Sequence, residues 1–294
     1  MSHRAQGAHS AEPDLARQVA DALGVSVSAT APLPGGSTGP VAQVTLSDGT
    51  RLMAKGYAGA GTTPDVEAAQ LDLLRETGAV PVPGVVHADA ALLVLDWIDG
   101  APAKAWTDGA AADLGARLAV LHRHTGPACG YTDQTWIGQV PQPNPWVLSW
   151  PVFFAEQRLR PLVVRCRLAG RLPAALADRV LRLVETLPGR LAPAPPALLH
   201  GDLWPGNILV RGDRVVGLVD PALHYGHPAL DLATPGAYGP VPNTLATAYG
   251  AAGGIWPDEE TLAVHRLWPL LVNLAYWDAG YAVPIAQTLD DLGA

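Results

Sequence analysis

The chain has 294 residues, of which 49% are hydrophobic and only 16% charged, and its formal net charge is −8. That length suits two domains or one large bilobed unit with a sizeable core. No basic stripe, no apolar run near 18 residues and only two cysteines argue against nucleic-acid binding, membrane spanning and a disulfide scaffold. Cys129 and Cys166 suit a reducing compartment, and residues 1–10 lack the apolar core of a signal peptide, so a cytoplasmic location is expected.

The opening, to about Pro13, reads as an unstructured tail. A short amphipathic helix follows over 14–23 and stops at Gly24. Three strands are expected over 25–33, 41–46 and 51–57. The first two are joined by the glycine-rich stretch Gly35-Gly36-Ser37-Thr38-Gly39, the second pair by a tight Asp48-Gly49 turn. Thr63-Pro64 opens a helix, with a capping hydroxyl and a proline at the first helical position, and the helix ends near Gly78. Two further strands are expected over 81–87 and 91–97. Residues 1–97 therefore read β-β-β-α-β-β.

Beyond Asp99-Gly100 the pattern becomes helical. Helices are expected over 109–124, 153–168, 173–187 and 259–279, with 126–150 a loop dense in Pro, Gly and Trp. Between the last two helices, 208–210 and 215–219 read as a β-hairpin turning at Arg211-Gly-Asp213. The fold class is α+β. A small β-rich lobe with one key helix occupies 1–97, and a larger, mainly helical lobe occupies 98–294.

The segment that carries chemistry is His200-Gly-Asp-Leu-Trp-Pro-Gly-Asn207, followed by Asp220-Pro221. An Asp is followed by an Asn five residues on, and by a second Asp thirteen beyond that. Asp202 on a loop can accept a proton from a substrate hydroxyl. Asn207 can coordinate a metal, and the hairpin returns Asp220 to the same metal from the other side. Phosphoryl transfer needs such a base, metal ligands and phosphates in line. Loop capping is the bland reading of Asp202 and Asn207, but four fixed positions arise by chance only about 0.002 times in such a chain.

An upstream pair supports this reading. Of the 19 basic residues only Lys55 and Lys104 are lysines. Lys55 falls on the third strand and Glu67 lies in the helix after it, the pairing that holds nucleotide phosphates in kinase sites. Gly35, Gly36 and Ser37 sit where a phosphate-covering loop belongs, although they match neither G-x-G-x-x-G nor a Walker loop.

The run 198–207 with Asp220-Pro-Ala-Leu-His-Tyr-Gly-His227 and Asp231-Leu-Ala233 resembles the fructosamine kinase (ketosamine-3-kinase) family, related to the aminoglycoside phosphotransferases. The likeness extends to Glu67-Ala-Ala-Gln70, Gly138–Trp146, Trp150–Phe154 with Arg158, and Asn273–Trp277. It implies a bilobed protein-kinase-like fold, ATP with Mg2+, and phosphorylation of the 3-hydroxyl of a ketosamine, free or on a glycated protein. The 3-phosphate decomposes and frees the amine, which is deglycation. By the same resemblance Asp231 braces the catalytic loop and His200 holds it. Trp204, Tyr225 and His227 are candidates for the sugar-amine pocket because aromatic faces suit a ring or an alkyl-ammonium, with packing against neighbouring helices as the alternative. Trp146 and Trp150 are expected to be packing residues and both cysteines inert. The glycine-rich loop lacks the cysteine that some relatives carry there, so redox control is not carried over. An aminoglycoside or other small-molecule phosphotransferase is the alternative enzyme, and a nucleotide-binding pseudokinase the alternative non-enzyme. The presence of Lys55, Asp202, Asn207 and Asp220 together favours catalysis.

Overall fold

The structure is a computed structural model, and it describes residues 12–34, 39–57 and 61–294. The tail over 1–11 and the phosphate-loop candidates Gly35, Gly36 and Ser37 lie outside the described residues. Glu12 and Pro13, expected within the tail, already belong to helix α1 (Glu12–Leu23).

Strands β1 (Val27–Pro32), β2 (Val41–Leu46) and β3 (Arg51–Gly56) are followed by α2 (Pro64–Glu76), β4 (Val85–Ala88) and β5 (Leu92–Asp96). The five strands form one antiparallel sheet in the order β1-β2-β3-β5-β4. Side chains alternate across a strand, and the sheet uses both faces. Ala42, Val44, Leu52, Ala54, Leu92 and Val94 pack with Leu15 and Val19 of α1. Leu93 and Leu95 face the other way and pack with Ala68 and Leu71 of α2. Lys55 has the same parity along β3 as Met53, which joins the α2-side cluster. Its ammonium is thereby delivered to the first turns of α2, where Glu67 sits.

The fourth strand begins four residues later than expected. Pro81 and Pro83 have no N–H to give a ladder, and pairing starts only at Val85.

The remainder is mainly helical. Strand β6 (Ala101–Pro102) precedes α3 (Asp108–Leu121), and the expected loop over 126–150 contains a small hairpin, β7 (Thr135–Ile137) with β8 (Val140–Gln142). The helix expected over 153–168 begins earlier and is not uniform. It runs as α4 (Trp150–Phe154), a π-helical turn over Ala155–Leu159, and α5 (Arg160–Leu168). Helix α6 (Ala174–Arg190) outlasts its expected end by three residues and is followed by β9 (Ala197–Leu199).

Strands β10 (Ile208–Arg211) and β11 (Arg214–Leu218) form the expected hairpin, extended to three strands by β6. The short strand β12 (His224–Gly226) pairs with β9. Helices α7 (Ala229–Ala233), α8 (Thr244–Ala251), α9 (Glu259–Tyr276) and α10 (Ala282–Asp291) complete the chain.

Helix α9 is the spine of this part. Nearly every residue from Thr261 to Ala275 is buried, which is why its sequence is apolar all round rather than striped. No helix among the described residues is long and apolar enough to cross a membrane.

Candidate active site

Two segments converge on one cleft. The first is the Lys55 strand with the start of α2. Lys55 Nζ lies 2.6 Å from Glu67 Oε1 and 2.6 Å from Asp220 Oδ1, across 165 positions of chain. The Tyr57 hydroxyl donates to the other Glu67 oxygen. Lys55 and Glu67 are almost fully buried, whereas the Asp220 side chain is 50% exposed. Burial opposes the charge on Lys55, but Asp220 and then Glu67 overcome it and hold the ammonium well above the ordinary lysine range. Burial raises Glu67, and the Lys55 charge opposes that rise.

The second segment is the loop after β9. Gly201 takes φ +83°, and a Cβ there would collide with the Ala222 carbonyl oxygen, so the turn requires glycine. The loop backbone is pinned by Asp231 of α7, whose two carboxylate oxygens accept from the His200 N–H at 2.8 Å and the Gly201 N–H at 2.9 Å. His122, the residue that ends α3, stands behind Asp231 at 3.4 Å, with its Nδ1 3.0 Å from the Tyr249 hydroxyl. Burial opposes the Asp231 charge, yet hydrogen bonding and charge from His122 hold its carboxyl pKa below the usual carboxylate value. His200 is fully buried, and that burial holds it neutral.

This turn presents Asp202. Asn207 Nδ2 donates to the Asp202 carbonyl at 3.0 Å, to Asp202 Oδ2 at 3.0 Å and to the Asp220 carbonyl at 3.4 Å. The amide therefore ties the loop to the far end of the hairpin and leaves Asn207 Oδ1 as an acceptor. Burial, and next the charge of Asp220, raise Asp202 well above the ordinary carboxylate value. Asp220 has φ +53°, the only positive value at a non-glycine residue among those described.

The structure thus brings Lys55, Glu67, Asp202, Asn207, Asp220, His200 and Asp231 into one assembly. Among the three substrate candidates, Trp204 is 42% exposed and its ring meets Tyr238 at 6.0 Å. Beside them opens a cavity of about 480 Å³ between residues 103–106 and 235–242. Neither Tyr225 nor His227 lines it. Tyr225 stacks on Trp146 at 6.1 Å, and His227 lies 5.1 Å from His265 in an aromatic stack built around Trp150.

Trp150 is buried as expected, but Trp146 is 44% exposed while stacking on Tyr225. Both cysteines are buried and free, and burial pushes their thiols up to about 11, away from reactivity.

Sequence reading missed four contributors: Tyr57, Gln70, His122 and Tyr238. Gln70 Oε1 accepts from the Leu223 N–H at 2.7 Å and couples α2 to the segment after Asp220. Gln70 was detectable, since it lies one helical turn past Glu67 and shares its face. The other three act through tertiary approach that local spacing does not encode.

The comparisons agree with this architecture. The fructosamine kinase family profile matches residues 14–293. A protein named probable ketoamine kinase in Synechocystis is 34% identical over 76% of this chain and 76% of its own. The ketosamine-3-kinase of Mus musculus is 29% identical over 73% of this chain and 78% of its own. A crystal structure described as a fructosamine-3-kinase, from Thermobifida fusca, superposes with a TM-score of 0.85 at 31% identity, covering 95% of this chain and 98% of that one. The bilobed, protein-kinase-like phosphotransferase fold expected from sequence is the fold observed, and the chain belongs to the fructosamine kinase family.

Proposed function

We propose that the protein is an ATP- and Mg2+-dependent kinase that phosphorylates the 3-hydroxyl of a ketosamine. The observation that carries this reading is the Lys55–Asp220 ion pair, which joins the nucleotide-side strand to the loop bearing Asp202. In this scheme residues 1–97 bind the nucleotide, with Gly35, Gly36 and Ser37 over its phosphates, and 98–294 bind the sugar-amine. Lys55, steadied by Glu67, orients the phosphates. Asp202 accepts the proton of the attacking hydroxyl, and its raised proton affinity suits a base that must take up a proton as the O–P bond forms.

Asn207 and Asp220 offer an amide oxygen and a half-exposed carboxylate, hard oxygen donors of the kind Mg2+ prefers. Bound there, Mg2+ would neutralise phosphate charge. Asp220 and Asn207 would hold the metal, and the Lys55 ammonium would meet the nucleotide phosphates. Asp231 and His200 keep the loop in shape, Trp204 offers an aromatic face to the sugar-amine, and Tyr225 and His227 shape the region behind it. The amine is cationic near neutral pH and suits an aromatic face beside carboxylates. Loss of the 3-phosphate sugar would release the amine, which makes the reaction a deglycation step on free or protein-bound substrates in the cytoplasm.

The test is an ATP-consumption assay with fructose- and ribulose-derived amines beside the free ketoses, with NMR of the product. The expected result is Mg2+-dependent phosphate on the third carbon and higher kcat/KM for the sugar-amines. Equal use of the free sugars, or phosphate on another hydroxyl, overturns the reading.

A further inference from the structure

The run Asn273–Trp277 at the end of α9 is remote in sequence from the catalytic loop, yet its first residue reaches toward it. Asn273 is buried and held at three points. Its Nδ2 donates to the Pro269 carbonyl one turn back at 2.7 Å. Its own carbonyl accepts from the Trp277 N–H at 2.8 Å and the Asp278 N–H at 3.1 Å, which closes the helix. The same Nδ2 also donates outward, to the Tyr238 hydroxyl at 2.7 Å, 35 positions away.

Tyr238 carries that fixed point to the loop. Its ring centre lies 6.0 Å from that of Trp204 at 47°, within the range of attractive aromatic pairs. Burial, and next the charge of Asp202, raise the Tyr238 phenol above its ordinary value, so the ring stands close to the base as well as to Trp204. Trp204 has a second fixed contact. A Cβ at Gly206 would lie 2.1 Å from two atoms of the six-membered indole ring, so that ring rests on backbone that only glycine leaves open. Despite both contacts Trp204 is 42% exposed, whereas the packing tryptophans Trp150 and Trp268 are buried. An indole held by its neighbours yet open to solvent is a positioned surface rather than core.

We infer that Tyr238 is a positioning residue of this site: anchored to α9 by Asn273, its ring sets the orientation of the Trp204 indole that meets the substrate. The inference rests on the kinase reading above, in which Trp204 faces the sugar-amine, and names the residue that holds that face. The effect belongs to binding. Without the Tyr238 ring the indole samples other orientations, and the substrate binds only the fraction that fits, which weakens its apparent affinity by that fraction. A contact made equally in the bound substrate and in the transition state changes KM and leaves kcat.

The test is a double-mutant cycle, with thermal melts to show that each variant is folded. Tyr238→Leu should raise KM for the fructose adduct of butylamine about two- to tenfold, the scale of one aromatic pair. The KM for ATP and kcat should move far less. Tyr238→Phe keeps the ring and loses only the anchor, and should fall between the wild type and the leucine variant. Trp204→Ala should raise the same KM, and Tyr238→Leu should then add nothing, because the residue it acts through is gone. Additive losses, a KM that ignores either single substitution, or a phenylalanine variant as impaired as the leucine one overturns the inference. A second readout needs no substrate: the emission of Trp204, taken as the difference from the matching Trp204→Ala protein. Tyr238→Leu should shift it to the red and increase its quenching by acrylamide, and an unchanged difference spectrum overturns the inference as well. Failure of the wild type to phosphorylate any sugar-amine would instead sink the kinase reading, while the emission would still report whether Tyr238 holds Trp204.

Discussion

Among the described lysines and arginines, Lys55 and Arg158 are buried, and their charges are satisfied differently. Lys55 sits between two carboxylates, and those charges more than offset the cost of burial. Arg158, in the π-helical turn, is 1% exposed and has no carboxylate partner among the described residues. Its guanidinium donates to the Pro143 carbonyl at 2.9 Å, the Gln157 carbonyl at 3.2 Å and Asn144 Oδ1 at 2.6 Å, and lies 4.7 Å from the Phe153 ring centre. Burial without a counter-charge pulls its pKa down to about 9.

The difference teaches what each cation is for. Arg158 ends on fixed neutral acceptors and ties the 143–144 loop to the helix. One of the two Lys55 partners, Asp220, is half exposed. Arg158 is held on all sides by buried neutral acceptors, whereas Lys55 keeps one partner open to water, as the proposed phosphate-orienting role would need.

The sharpest way to separate site from scaffold is Asp202→Asn, which removes the base but keeps the shape. Turnover should fall by about 10²–10⁴ with nucleotide affinity nearly unchanged. Steady-state kinetics beside calorimetry would check this, and near-wild-type kcat would remove Asp202 from its role. Lys55→Met should lower turnover by roughly 10²–10³, the scale for losing one preorganised charge contact in a site. If the rate loss were no larger than that of an Arg158 variant, the two cations would not differ in kind.

A pH series probes the surroundings of Arg158. Burial holds His224, His227 and His265 neutral in the fold, at about 3, 4 and 3, and for His224 the nearby Arg158 charge adds to the effect. Unfolded, each returns to about 6.5. The unfolded chain thus binds more protons between these limits, so stability is complete above pH 6.5 and is lost as pH falls toward 4. Three such groups give a slope of up to about 4 kcal/mol per pH unit near pH 5. Urea denaturation at several pH values would show it, and His265→Asn should reduce the slope by about one proton. A flat profile would mean that these histidines are protonated in the fold.

Arg158→Met leaves three acceptors unsatisfied and should cost about 2–4 kcal/mol, lowering Tm by several degrees. Turnover per folded molecule should be unchanged, and a fall in kcat beyond the unfolded fraction would place Arg158 with the working residues. The smallest effect is expected from Thr107→Ala, which removes the hydroxyl accepting from the Ala110 N–H at 3.0 Å and uncaps α3. It should cost about 1 kcal/mol with no change in KM, as thermal melts and kinetics would show.

The sheet side was legible in the sequence because its signals are local. Alternation in 41–46 and 51–56, Asp48-Gly49 and the proline at the start of α2 each report on neighbouring residues, although the expected Thr63 hydroxyl cap accepts no hydrogen bond from the helix backbone. The Asp202, Asn207 and Asp220 set was legible because hairpin geometry fixes its spacing. The π-helical turn was not, since its extra residue per turn looks like ordinary helix in composition. The short strands β6, β9 and β12 were missed because their pairing partners lie far away in sequence. Tyr238 and His122 escaped because each works through a contact 34 or more positions away.

Position 220 carries a last consequence. Its left-handed backbone costs an aspartate roughly 1–2 kcal/mol that a glycine would not incur. Against that cost stands the ion pair with Lys55, since the Asp220 charge is the first to offset the burial of that ammonium. Asp220→Gly would relieve the backbone but leave Glu67 as the one carboxylate on the buried ammonium, so heat resistance alone does not decide this position. Any directed-evolution campaign on this scaffold has to couple its thermal screen to turnover.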